Sequence, residues 1–157
     1  MSKHQSKLRL SLFVIFTLAA LVIIVDFAWP GKVVNHEILE IKSELQQYYN
    51  AARNSHSAYT VVTSEHQFLV TEDFAQSAQG NEKIEYAVSS IFKEVNWYKL
   101  SSSKNRSYYS LRTVSGLVLP LLTITLLLLT LLTKKKLSTL VFVLETLLLA
   151  DLVFLII

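Results

Sequence analysis

Three carboxylic acids stand inside stretches that are otherwise hydrocarbon: Asp26, Glu145 and Asp151. An acid within an apolar span is expensive, so it faces protein or water rather than lipid and is a candidate for function by default. Counted from the lysines at 134–136 at 1.5 Å per residue, Glu145 lies about 14 Å deep, near a bilayer midplane, and Asp151 about 22 Å from the same turn. Asp26, counted from Arg9, lies about 25 Å across, near the far edge where solvation is cheap. Three roles fit Glu145. Protonated, it can join helices through a hydrogen bond. Ionised, it can pair with a cation on another subunit. In an oligomer it can pass protons or cations, with Asp151 as a second station. No basic residue of this chain lies at its depth, which excludes an ion pair within the monomer.

Spacing on the helices refines these roles. Glu145 and Asp151 are six residues apart, or about 240° around a helix, and do not share a face. Ser138 and Glu145 do share one, as do Thr139 and Thr146, and Thr123 and Thr130 line one face of the preceding span. Such hydroxyls are expected to hydrogen-bond across a helix interface, at about 0.5–2 kcal/mol per contact.

A second cluster joins rings to cations: Tyr98, Lys99, Lys104, Arg106, Tyr108, Tyr109 and Arg112. Tyrosine and basic side chains suit the headgroup zone, where the ring sits at the interface and the cation meets phosphate. Contact with a membrane surface is the expectation, and a lipid-headgroup site is its sharper form.

Other chemistry finds no framework. His36, His56 and His66 lack the i, i+4 pairing of a zinc helix, since HEILE puts Glu40 where H-E-x-x-H needs histidine, and they read as solvated surface residues. Serines occur in neither G-x-S-x-G nor S-x-x-K. Three glycines leave no phosphate-cradling loop, and the absence of cysteine removes disulfides and thiolate sites. No catalytic residue, cofactor or metal is therefore expected. The segment 30–113 carries nine Lys/Arg and nine Asp/Glu, which is neutral and unlike a nucleic-acid footprint. Asn105-Arg106-Ser107 matches the glycosylation triplet, a pattern common by chance.

The elements that position these residues begin with three apolar runs. LSLFVIFTLAALVIIVDFAW, residues 10–29, is long enough for a hydrocarbon core of about 30 Å and reads as an uncleaved anchor. Residues 114–133 and 137–157 follow as a hairpin, because three lysines at mid-bilayer would cost several kcal/mol. Short flanks dense in Lys/Arg remain cytoplasmic, which puts residues 1–9 and the 134–136 turn inside and segment 30–113 outside. The C-terminus is then extracytoplasmic, and a bacterial inner membrane is the expected location.

Between the first two spans, Asn35 reads as an N-cap, and Val34, Ile38, Ile41, Leu45, Tyr48 and Ala52 recur at steps of four and three. This predicts an amphipathic helix, either packed on the strands that follow or offering Ile38, Ile41, Leu45 and Tyr48 to a partner helix. AYTVVT and QFLVT, around Ser64-Glu65-His66, predict a hairpin. TEDFAQSA predicts a helical turn capped by Thr71, and KIEYAVSS and IFKEVNWYKL predict two more strands. Tyr59, Val61, Phe68, Val70, Ile84, Tyr86, Ile91, Val95 and Trp97 are the expected core, although a one-residue register error would reverse any strand.

The expected fold is thus a membrane protein of α+β class. Three transmembrane helices flank a small extracytoplasmic domain of one amphipathic helix plus four or five antiparallel β-strands. The expected function is a non-enzymatic accessory, assembly or scaffold subunit, with the membrane and other membrane subunits or further copies of itself as partners. An oligomeric ion or proton pathway through Glu145 and Asp151 is the alternative, and an extracytoplasmic sensing module a weaker one.

Overall fold

A computed structural model describes residues 3–29, 31–47, 55–133 and 138–156. The chain forms two compact units: residues 1–29, 90–92 and 113–157, and residues 30–89 and 93–112.

The first unit is helical. α1 (Lys3–Ala28) contains the first apolar run. The second run begins at Ser110 rather than Val114, with a short α3 (Ser110–Thr113), whose residues 110–112 belong to the second unit, then a π-helical turn (Val114–Val118) and α4 (Leu119–Thr133) in series. α5 (Ser138–Ile156) is the third. Among the described residues three helices are long and apolar enough to cross a membrane: Leu10–Ala28, Ser110–Leu132 and Thr139–Ile156. Each buries a narrow stripe. α1 turns in Phe13, Phe16, Ala20 and Ile23; the second helix Gly116, Thr123, Leu127 and Thr130; α5 Val141, Leu148 and Leu155. These threes, fours and sevens are the helical period, and leucines elsewhere on the same helices remain exposed. Close approach is set by Gly116, where an added Cβ would overlap the Phe27 ring.

The second unit is all but entirely β. Two three-stranded antiparallel sheets have the orders β1-β5-β6 and β2-β3-β4, formed by β1 (Lys32–Glu37), β2 (Glu40–Gln47), β3 (Ser55–Val62), β4 (Gln67–Val70), β5 (Lys83–Val88) and β6 (Val95–Leu100). The helical turn expected after Thr71 is α2 (Glu72–Ser77), and Thr71 makes no side-chain cap bond. Both sheets and α2 fill one core with Val34, Ile38, Val61, Val70, Phe74 and Tyr86 among its members. Gly31 opens β1 where no side chain fits, since a Cβ would overlap the backbone oxygen of Val88.

The amphipathic helix is not there. Residues 32–47 are β1 and β2, and Ile38-Leu39 hands the chain from one sheet to the other. The Ile38 N–H donates to the Glu82 carbonyl on the first side, and the Leu39 N–H to the Val62 carbonyl on the second. The physical reason is a degeneracy of spacing. A step of four is an even number, so Val34 and Ile38 share a face of a strand as they would share a face of a helix. The step of three from Ile38 to Ile41 falls where the chain changes sheets, and the change absorbs the parity. The partner-helix assignment fails with the helix: Ile38 is fully buried and Ile41 packs against the same core. Leu45 lies in β2 with its side chain outside the described set, and Tyr48 lies outside the described residues.

The hairpin around Ser64-Glu65-His66 is present, with Val61 opposite Phe68. β6 is shorter than expected; Val95 packs against the core as expected, but beyond the register irregularity at Ala87/Val88 the strand faces the other way. Asn96 and Tyr98 point inward while Trp97 is only half-buried, a reversal by one residue. Its first part is a loop: Lys93 takes a left-handed φ of 63°, and the Ser89 N–H closes onto the Glu94 carbonyl at 2.8 Å. Ile91, expected in the core, is 54% exposed in that loop.

Candidate functional site

α5 carries the two acids on opposite flanks of its buried stripe. Relative to Leu148, Glu145 lies about 60° to one side and Asp151 about 60° to the other, at 100° per residue. Both side chains are partly covered, and Glu145 Oε1 and Asp151 Oδ2 are buried atoms without a hydrogen-bond partner among the described residues. An unpaired buried carboxyl oxygen forfeits about 1–3 kcal/mol or more, a cost that a polar neighbour would remove. Axially the two acids are about 9 Å apart, which with their opposite flanks separates them into two sites.

The hydroxyls of the second helix do not supply that neighbour. Thr123 and Thr130 are buried as their spacing implies, but each donates within its own helix, to the carbonyls of Leu119 at 2.9 Å and Leu126 at 2.8 Å. Thr146 does the same to Phe142. Bonding across the interface was the expectation. The carbonyl four residues back lies within reach of every threonine, and it satisfies the single hydroxyl proton locally. The Ser138 side chain lies outside the described set.

Asp26 is also a correction. It is 2% exposed rather than solvated, and its Oδ1 accepts the Ile91 backbone N–H at 2.7 Å. Residues 90–92 belong to the helical unit, where Phe92 packs against the helix core. A carboxylate accepting a backbone N–H is a strong hydrogen bond, and here it fixes a loop on a helix end. No spacing rule could have linked residues 65 positions apart.

The ring-and-cation segment divides. Tyr98 is 1% exposed, and its oxygen accepts the Thr71 N–H at 2.8 Å while Phe74 meets its ring edge-on at 4.7 Å. Arg112 is buried and donates from Nε to Asn96 Oδ1 at 3.0 Å. Lys99 pairs with Glu85 at 3.3 Å, directly opposite on β5, and Tyr109 packs against the core. These four serve the fold, which withdraws them from the interfacial set. Arg106, exposed, stacks over Trp97 at 4.2 Å. Lys104 and Tyr108 are exposed.

Two histidines read as surface residues are partly buried around one phenol. His36 Nδ1 lies 3.2 Å and His66 Nδ1 3.0 Å from Tyr86 Oη, and Thr63 Oγ1 lies 3.2 Å from it. The Thr63 hydroxyl donates to the His66 carbonyl at 2.8 Å. Burial pushes the Tyr86 phenol above its ordinary range. The network ties β1 and β5 of one sheet to the β3–β4 turn of the other. His56 has no described side chain. Among the described residues no group of three or more His, Cys, Asp or Glu could hold a metal ion.

No known protein family, curated protein or solved structure matches this chain.

Proposed function

We propose that the chain is a non-enzymatic subunit of a membrane complex, acting in assembly or as a scaffold, with α5 as a contact helix for another membrane-spanning segment. One observation carries this reading: two buried carboxyl oxygens, on Glu145 and Asp151, have no hydrogen-bond partner among the described residues. In hydrocarbon no water replaces a missing partner, so a polar or cationic side chain from another helix is the chemistry that fits. The separation of the two acids onto opposite flanks favours two docking contacts over a single relay for protons or cations. In this reading residues 1–9 and residues 134–136 are cytoplasmic, the β unit is extracytoplasmic, and the membrane is a bacterial inner membrane.

The test is substitution at Glu145 in the full chain, read by what co-purifies in mild detergent. Glu145→Leu removes both hydrogen bonding and charge and should release the partner. Glu145→Gln should retain it if the carboxyl acts as a neutral hydrogen-bonding group and release it if the partner is a cation. Assembly that survives both changes would remove Glu145 from the contact.

A further inference from the structure

We propose that the β unit binds a neutral saccharide in the cleft between α2 and the 100–108 segment, a ligand role that goes beyond the subunit reading. The cleft has a volume of about 380 Å³, within the range of small-molecule sites. Leu100, the half-exposed Tyr108 and the core residue Phe74 are its lining residues with large apolar side chains. Around them are Asp73, Asn105 and Ser107. The side chains of Asp73, Asn105, Ser107 and Tyr108 form no hydrogen bond to another described residue, so a carboxylate, an amide and two hydroxyls are uncommitted in one concavity.

Their neighbours are held in place. The Ser77 hydroxyl donates to the Phe74 carbonyl at 2.9 Å, and the Asn105 N–H donates to Ser103 Oγ at 3.2 Å. The Thr71 N–H is fixed on the Tyr98 oxygen. The wall is therefore pre-shaped by bonds that a ligand need not break, which lowers the ordering cost of binding.

The lining selects the ligand class. Asp73 is the one charged side chain among the lining residues, so an anionic group finds a like charge and no cation. An apolar surface bordered by hydroxyl, amide and carboxylate groups suits a ring with one apolar face and a hydroxyl edge. A pyranose has that form: its C–H face lies on an aromatic or aliphatic surface, and its hydroxyls meet acceptors and donors around the rim.

The experiment uses the full-length protein in phospholipid nanodiscs, because maltoside detergents would themselves present sugar. Saturation-transfer NMR is recorded with N,N′-diacetylchitobiose and with maltose, and separately with putrescine as a cationic probe. Asn105→Ala and Tyr108→Ala alter exposed side chains, and unchanged thermal melting verifies that each variant is folded. The proposal expects transfer to the ring protons of at least one disaccharide, with affinity reduced about tenfold in either variant, the scale of one or two lost contacts. Absence of transfer from both sugars would overturn it, as would transfer that both variants leave unchanged. Binding of putrescine alone would also overturn it and make Asp73 the anchor of a cation site.

Discussion

The Tyr98 phenol lies in the core with its oxygen against the Thr71 N–H, and burial raises its pKa above the ordinary 10.0. The folded state favours the neutral phenol, so the stability tied to it is complete below pH 10 and is lost as pH rises toward the folded-state value. Tyr86 shifts in the same direction for the same leading cause. Tyr98→Phe should therefore flatten the alkaline part of the stability curve. At neutral pH it should cost about 1–3 kcal/mol, because the Thr71 N–H loses its acceptor in a covered site. Thermal melts of the full chain from pH 8 to 11, with and without the substitution, check both effects. An alkaline limb that is identical in the two proteins would remove Tyr98 as its source. Glu145 poses the opposite problem at the same scale: Tyr98 has its partner inside the fold, and Glu145 Oε1 has none among the described residues.

At the scale of elements, the approach of two helices rests on Gly116, where the Phe27 ring occupies the space a methyl would need. Gly116→Ala should destabilise the helical unit by about 1–3 kcal/mol, the usual cost of overpacking. Phe27→Ala should recover part of that loss, because the nearest clashing atoms belong to the ring, and the four proteins form a double-mutant cycle read by thermal melting. Additive losses would show that the two side chains do not meet. Such faces were hard to read in the sequence. The apolar runs announced three long helices, yet leucine lines them on every side, so periodicity could not separate Leu127, buried, from Leu128, exposed. The β hairpin at 55–70 was legible because its alternation is broken by a polar turn. Residues 32–47 misled because a heptad and two strands with a sheet change place the same residues inward. β6 is legible as a strand but not in the facing of Trp97 and Tyr98, since its alternation fits either face until Arg106 stacks on Trp97 and the core takes Tyr98. Of the candidate sites, the acids within the apolar runs are plain from composition. The docking of Asp26 on Ile91 and the meeting of His36 with His66 on Tyr86 depend on contacts distant in sequence.

At the scale of the whole molecule, the described residues form three helices long and apolar enough to cross a membrane and a small unit of two antiparallel sheets. Two of the unpaired buried atoms among the described residues lie on α5, on Glu145 and Asp151, and the proposed partner helix would meet them there. The most direct test is gentle extraction from the native membrane, followed by native mass spectrometry and identification of every co-purifying chain. The expected result is a defined complex, of other subunits or of further copies, that persists in mild detergent and is lost on Glu145→Leu. A clean monomer from the native membrane would contradict it.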